Sequence, residues 1–414
     1  MIKEVIKQEI SNKLRILVIS QYFYPENFRI NDVCLGLKER GHEVVVLTGK
    51  PNYPNGKYFN GHGLFKRNND NWNGIKIYRS NLILRGQGNG IRLLLNYFSF
   101  AFLATLKVFS IKGKFDKIFI FAPSPITVAI PGILARKKFK AKTFLWVHDL
   151  WPESIRIAGG IEKNSILNLV DKMTRWIYSK MDKLLIQSKG FITYLENQKV
   201  NSNKIIYYPF YAETFYKIEA PELLYSQKLP KGFRILFAGN IGEGQSFETL
   251  LSAAKIINHK KLPITWIIFG EGRLKDYVKE EITKNKLEDI FILMGSVPAV
   301  EMPKYFACVD ALLVSLKKSK IFSITIPGKL QSYLACGRPI IGSLDGIGAE
   351  IIIESKAGFT SKAESANDLA DQIIKLFYTP IEIRNQMGLN ARNYFEVEFE
   401  REILLDKLEL ILNE

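Results

Sequence analysis

From Leu14 onward, short and nearly continuous apolar runs alternate with segments of helical period. "LRILVIS" (Leu14–Ser20), "HEVVVLTG" (His42–Gly49), "IKIYRS" (Ile75–Ser80), "DKIFIFA" (Asp116–Ala122), "KTFLWVHD" (Lys142–Asp149) and "KLLIQS" (Lys183–Ser188) read as strands. Most have no polar face, the mark of parallel strands covered on both sides. The spacing between them predicts helices over 27–40 (stopped by Gly41), over 91–109, from Ser124–Pro125 through "ARKK", and over roughly 161–180. After about Pro209 the period lapses through "FYAETFYKIEAPELLYSQKLPKG", a linker, and then restarts. "FRILFAGN", "ITWIIFGEG", "IFILMG", "ALLVSL" and "PIIGS" are the second set of strands, with helices from Ser246, from Arg273, within "GKLQSYLACG" and over 367–377. The pattern predicts an α/β domain over 1–210 and a second over 211–380. A terminal amphipathic helical segment, 381–414, breaks near "ARNYFEVEFERE" and is expected to pack back on the first domain.

Composition agrees with two soluble cores: 414 residues, 47% hydrophobic and 24% charged. Cys34, Cys308 and Cys336 lie far apart in apolar segments and read as buried free thiols, which fits a reducing cytoplasm. The stub "MIKEVIKQEISNK" lacks the apolar centre of a signal peptide. A net charge of +17 points to nucleic acid, an anionic membrane or phosphorylated substrates. The absence of a zinc finger, RRM signature or Arg-rich recognition helix argues against nucleic acid. "ARKKFKAK" (Ala135–Lys142) has five basic residues and no acid, and reads either as a solvated helix end or as a patch for anionic lipid. The helix over 91–109 is interrupted by Arg92, Asn96 and Lys107, which makes it a poor membrane span. A buried helix and a helix in the membrane interface both remain open.

In open α/β sheets, ligands collect beyond the carboxyl ends of the strands. The first such turn, "QYFYPENFRIND", has no glycine, unlike a dinucleotide-binding turn. In the second half, Gly239, Gly242 and Gly244 fall between a strand and a helix, where backbone can approach an anion. Gly270 and Gly272 in "FGEGR" would admit a nucleobase or ribose, with Arg273 either beside it or simply solvated. The densest stretch is "SLKKSKIFSITIPGKLQSYLACGRP". Lys317 leads into an apolar loop ending in Thr325 and Ile326, and Pro327 and Gly328 start a helix. Its first N–H groups, from Gly328 through Leu330 to Gln331, suit a phosphate. Lys329 opposes the helix dipole unless an anion sits there. In "WVHDLWPES", His148, Asp149 and Glu153 gather at the end of an apolar strand, where a buried polar cluster needs partners or a substrate.

These stretches, together with "ERGHEVVVLTGKPNYPNGK" and "DGIGAEII", resemble bacterial glycosyltransferases of the GT-B fold from Leu14 to about Arg392. More narrowly, the chain resembles the retaining family-4 transferases of O-antigen or capsule synthesis, in the L-fucosamine transferase subgroup. The resemblance implies two Rossmann-like α/β domains facing across a central cleft, with a nucleotide-sugar donor held by the second domain and an acceptor by the first. The family's arginine and lysine positions hold Asn240 and Gln245 here, and its two glutamate positions hold Ile324 and Ser332. The diphosphate would then rest on Lys317, Lys329 and backbone N–H groups. His148 carries over as the group near the reacting end of the sugar, as a neutral ring or a cation. Neither cofactor nor metal is expected, UDP being the implied nucleotide. The implied acceptor is an undecaprenyl-diphosphate-linked saccharide, met at the inner face of the cytoplasmic membrane by a peripheral, cytoplasmic enzyme. The opening turn then becomes an acceptor wall: Tyr22, Phe23 and Tyr24 for stacking, Glu26, Asn27 and Arg29 for hydrogen bonds. The alternative there is that the aromatics pack between loops and Asn27 caps the helix. A GT-B type sugar-nucleotide epimerase and a non-catalytic scaffold of polysaccharide assembly are the competing functions.

Overall fold

A computed structural model describes residues 13–66, 69–86, 90–155 and 163–414. The stub before Lys13, and the start of the helix expected from Ile161, lie outside the described residues; the described part of that helix is Asn164–Lys180. The chain forms two compact units.

The first unit comprises 1–187, 191–208 and 405–414. Its strands are β1 (Arg15–Ser20), β2 (Glu43–Gly49), β3 (Asn69–Trp72), β4 (Ile75–Ser80), β5 (Lys117–Ala122), β6 (Lys142–Val147), β7 (Lys183–Ile186) and β8 (Ile205–Tyr207). They form one sheet in the order β3-β4-β2-β1-β5-β6-β7-β8, parallel except for the β3–β4 hairpin. The second unit carries β9 (Phe233–Ala238), β10 (Ile264–Phe269), β11 (Phe291–Gly295), β12 (Ala311–Ser315), β13 (Ile340–Ser343) and β14 (Gly358–Ser361). These run β11-β10-β9-β12-β13-β14, all parallel, which is the doubly wound Rossmann order. Leaving out β3 and β8, the first sheet has the same order. The switch points, where strand order reverses, therefore lie between β1 and β5 and between β9 and β12.

The expected apolar strands are all present, and their side chains supply the cores: Ile16–Ile19, Ile118–Phe121, Leu236, Phe237 and Leu312–Val314 are buried. β3, β8 and β14 escaped the sequence pattern because they are short edge strands, half exposed along their length. The apolar loop before Pro327 contains a short helix, Lys320–Ile324, which the sequence pattern also missed. The first helix starts at Arg29 rather than at 27. Asn27 does not cap it: the cap position is Phe28, with no side-chain bond. Asn31 holds the turn instead, accepting from the Tyr24 N–H (3.1 Å) and donating to the Glu26 carbonyl (2.7 Å).

The Gly90–Val108 helix is long and apolar enough to cross a membrane by length and composition. One side packs on β2, β4 and the Ile130–Phe139 helix, burying Asn96, Phe100, Ala101, Ala104 and Val108. Asn96 is the polar exception on that side. It accepts from Gln21 Nε2 (2.7 Å) and donates to the Ile83 carbonyl (2.6 Å). The outer side exposes Ile91, Leu95, Phe98, Phe102 and Leu106.

The terminal segment divides. Ile381–Glu398 packs on the Gly328–Ala335 helix in the second unit, and a break at Phe399 precedes Arg401–Asn413. Only 405–414 join the first unit. There the buried Glu409 accepts from His42 Nε2 (2.8 Å) and Arg40 Nε (3.1 Å), while Arg40 also reaches Asp406 (3.0 Å). Removing a buried acceptor strands its donors, at a cost of about 1–3 kcal/mol. Glu409→Ala is therefore expected to lower the melting temperature of the first unit's transition by about 2–12 °C, read by calorimetry; an unchanged transition would show that this contact carries no stability.

Candidate active site

In the second unit, the loops after β9 and β12 flank the switch point. The Lys317 N–H donates to the Gly244 carbonyl (3.0 Å) and ties the two loops together. Lys329, in the first turn of Gly328–Ala335, reaches back to Gln245 Oε1 at 2.5 Å. Its ammonium lies 3.7 Å from the centre of the Phe237 ring, and a Cβ at Gly239 would sit only 3.0 Å from it. Burial pushes the Lys329 pKa down to about 7, with an amide rather than a carboxylate as partner. The helix has no side-chain cap at Pro327. The Leu330 N–H is already bonded to the Pro327 carbonyl (2.8 Å), which leaves Gly328 and Lys329 as the leading donors. A cation, the positive end of a helix dipole and its leading N–H groups thus belong to one helix turn, an arrangement that suits an anion.

The other expected residues of this half divide by role. Gly239, Asn240, Gly242, Gly270 and Gly272 come together, but Gly270 and Gly272 have a packing reason. A Cβ at Gly270 would meet the Gly239 carbonyl at 1.8 Å, and one at Gly272 the Ile241 carbonyl at 2.2 Å. Asn240 fills the space between Gly242 and Gly272. Leu330 is fully buried and Ile326 nearly so, so both serve the core. The Thr325 hydroxyl donates to the Ile321 carbonyl (2.8 Å). Ser332 is mostly buried, while Arg273 is exposed.

In the first unit, the loops after β1, β5 and β6 meet around the other switch point. The His148 N–H donates to the Ala122 carbonyl (3.2 Å), and its ring sits edge-on between Phe121 and Trp146, 4.5 and 4.4 Å between centroids. Burial, with the Arg29 charge nearby, holds the imidazole well below its usual range, so the ring is neutral at pH 7. Burial raises the Asp149 carboxyl to about 6, partly offset by a hydrogen bond from Ser124. Burial raises Tyr97, with Arg85, Tyr22 and Ser124 close enough to lower it in part, so Tyr22, Tyr97, Ser124 and Asp149 are neighbours between the first turn and the end of β6. Glu153 lies close enough to Tyr194 to act on it electrostatically, and the Tyr194 hydroxyl donates to the Trp151 carbonyl (3.2 Å).

The opening turn is largely committed to its own architecture. Tyr22 is buried and stacks on Phe28 (4.7 Å), and Phe23 meets Trp72 edge-on. Tyr24 is 42% exposed and stacks on Trp72 (4.8 Å). Glu26 is buried and accepts the N–H groups of Asn52 (2.8 Å) and Tyr53 (2.7 Å); burial raises its carboxyl to about 7. It therefore holds a loop. Asn27 is exposed and Arg29 half-buried. The sequence reading missed Arg85, Tyr97 and Ser124. Ser124 directly follows β5 at the switch point, which is the signal that would have found it. Arg85 lies over the Tyr53 ring (4.7 Å) and acts on Tyr22 and Tyr97.

Residues 27–210 match the family described as "Glycosyl transferase 4-like domain", and residues 232–378 match "Glycosyl transferases group 1". The chain is built from the two domains of a GT-B glycosyltransferase. A Pseudomonas aeruginosa protein named "Probable glycosyltransferase WbjE" is 29% identical over 267 residues, 61% of this chain and 62% of its own length. The chain thus spans less than two thirds of that relative. "Putative colanic acid biosynthesis glycosyl transferase WcaI" of Escherichia coli K12 is 24% identical over 339 residues, 78% of this chain and 82% of that one. The crystal structure of Anabaena Alr3699/HepE in complex with UDP and glucose superposes with a TM-score of 0.68 at 14% identity, over 97% of this chain and 100% of the other. All three free cysteines are buried. Among the described residues, no group of three or more His, Cys, Asp or Glu side chains is placed to hold a metal ion.

A lysine that is half-neutral at pH 7 recovers its proton when an anion binds. A nucleoside diphosphate is a clean probe, because its phosphates are already ionised above pH 7. Its affinity is expected to fall as pH rises from 7 to 9, by up to about tenfold per unit, in calorimetric titrations. Lys329→Met should flatten the profile. A flat wild-type profile would remove Lys329 from the anion site.

Proposed function

We propose that this glycosyltransferase is a retaining enzyme that moves a sugar from a UDP-sugar to an undecaprenyl-diphosphate-linked saccharide in O-antigen or capsule synthesis. The observation that carries the donor half is Lys329, an ammonium at a helix start with Gln245 as its partner, beside the second sheet's switch point. The acceptor half rests on Arg29, His148 and the neighbouring Tyr97, Ser124 and Asp149 of the first unit. Transfer of N-acetyl-L-fucosamine is the narrowest form of the proposal, and rests on the motifs that resemble that subgroup.

In this reading the donor diphosphate binds at Lys329, Lys317 and the Gly328 and Lys329 N–H groups, which neutralise charge as the sugar leaves. The anomeric C–O bond to diphosphate breaks, and the acceptor hydroxyl forms the new C–O bond on the same face. Its proton passes to the departing phosphate oxygen. His148, being neutral, contributes hydrogen bonding to the sugar rather than charge. Arg29 meets the acceptor's own diphosphate in this reading. The experiment is a screen of nucleotide sugars against a short polyprenyl-diphosphate sugar, read by mass. Transfer of N-acetyl-L-fucosamine supports the narrow form, transfer of another sugar removes it, and no transfer with any donor sinks the enzyme reading. In steady-state assays, His148→Ala should lower kcat by about 10²–10³, while Arg29→Ala should raise the acceptor KM more than the donor KM.

The acceptor is membrane-bound, and the proposal places the protein peripherally on the inner face of the cytoplasmic membrane. Support comes from the exposed apolar side of Gly90–Val108, with Phe102 65% and Phe109, just beyond it, 64% exposed. The basic run contributes less than its composition suggests. Lys138 donates to the carbonyls of Val108, Phe109 and Ile111 (3.0, 2.9 and 2.7 Å), and Arg136 pairs with Asp182 (2.6 Å). Lys142 donates to the Glu414 carbonyl (2.6 Å), and Lys137 and Lys140 are the exposed cations of the run that remain. Phe98→Ser with Phe102→Ser is expected to reduce co-sedimentation with anionic liposomes severalfold, and Lys137→Glu with Lys140→Gln to reduce it less. Full binding by both double variants would overturn the membrane contact.

A further inference from the structure

The first unit has a groove of about 490 Å³ of which the roles above use only Tyr24, expected to stack on the acceptor. It lies between Tyr24, the turn around Phe59–His62, and the β3–β4 hairpin from Asp70 to Asn73. Its size falls within the range of small-ligand sites. Its chemistry is unusual for a surface fold in two ways.

The first is a rigid aromatic platform. Tyr24 and Trp72 stack nearly parallel at 4.8 Å and 15°, and Phe23 braces Trp72 edge-on at 5.5 Å. Phe59 forms another wall. The second is a set of carboxamides with little free charge. Asn60, Asn71 and Asn73 line the groove. Among the described residues, the one acid there, Asp70, is paired with the buried Arg79, whose Nη2 donates to it at 3.2 Å. Asp70 also accepts the Asn71 N–H at 3.0 Å. Asn71 Oδ1 accepts the Gly74 N–H (2.9 Å), which leaves its NH₂ for a ligand. Lys38 bonds to the Asn73 carbonyl and pins the hairpin turn.

An aromatic face packs well on the C–H face of a pyranose ring. Amides both donate and accept, as sugar hydroxyls require. With its acid compensated and amides and a histidine, His62, as its other polar lining, the groove suits a hydroxyl-rich ligand that needs hydrogen bonds rather than an opposite charge. We infer that the groove is a subsite for a neutral sugar residue of the acceptor, remote from the reacting hydroxyl. The inference rests on the reading of the first domain as the acceptor domain. Tyr24, at the groove, lies on the loop that leads into the helix starting at Arg29, whose charge acts on His148. Their five-residue separation limits them to about 18 Å apart, a span that a short oligosaccharide covers.

The test compares polyprenyl-diphosphate acceptors carrying one sugar and three neutral sugars. The double variant Asn60→Ala/Asn73→Gly removes two side chains; glycine suits the positive φ of Asn73 (49°) and avoids backbone strain there. It should raise the KM of the three-sugar acceptor about tenfold more than that of the one-sugar acceptor, the equivalent of about 1.4 kcal/mol. Equal effects on both acceptors, with transfer intact, overturn the subsite and leave the proposed function standing. A second arm is independent of transfer: saturation-transfer NMR with the free trisaccharide of that acceptor. Signal with the wild type that is lost in the double variant and in Trp72→Leu supports the subsite, even if no transfer is seen. Absent signal, or equal signal in all three proteins, overturns it.

Discussion

Burying parallel strands on both faces leaves nowhere for polar chemistry except their ends. β1, β5, β6, β9 and β12 are almost wholly apolar and out of water. A charged group along them would lack partners. The polar residues are therefore pushed into the loops at the carboxyl edges, and they concentrate where strand order reverses. In the first unit this brings together Arg29, Tyr97, Ser124, His148 and Asp149. In the second it brings Gln245, Lys317 and Lys329 beside one another.

The same burial sets the protonation states. It raises Glu26 to about 7 and Asp149 to about 6, and lowers Lys329 to about 7 and His148 further. Each shift favours the neutral form of its group, as desolvation must. What differs is the compensation. Glu26 accepts backbone N–H groups and so is satisfied within the fold. Lys329 has only an amide oxygen and an aromatic face. That contrast separates a structural carboxylate from a lysine that still has charge to offer a ligand.

Packing reverses two simple inferences about residue type. Glycines after β9 and β10 look like room for a ligand, yet Gly270 and Gly272 are needed because the two loops lie against each other's backbone. The Gly90–Val108 helix inverts the usual amphipathic logic: Asn96 faces in and is bonded, while Phe98 and Phe102 face out. Such an arrangement is stable only when the inner polar group has partners and the outer apolar face has something to cover it.

The sequence by itself determined the two α/β domains, because continuous apolar runs separated by helical periods admit few other folds. It also located the residues at the strand ends, since strand limits are visible in the same pattern; Lys329 and His148 were legible in this way. Tertiary structure decided which of those residues have work left to do. Glu26 and Lys138 look available in sequence, but loops and helix ends distant along the chain use their hydrogen-bonding capacity. It also decided the groove beside Trp72, built from a polar hairpin that carries no apolar period. Periodicity reports what is buried against solvent. Which polar atoms meet is set by contacts between segments far apart in the chain, and only the folded structure shows them.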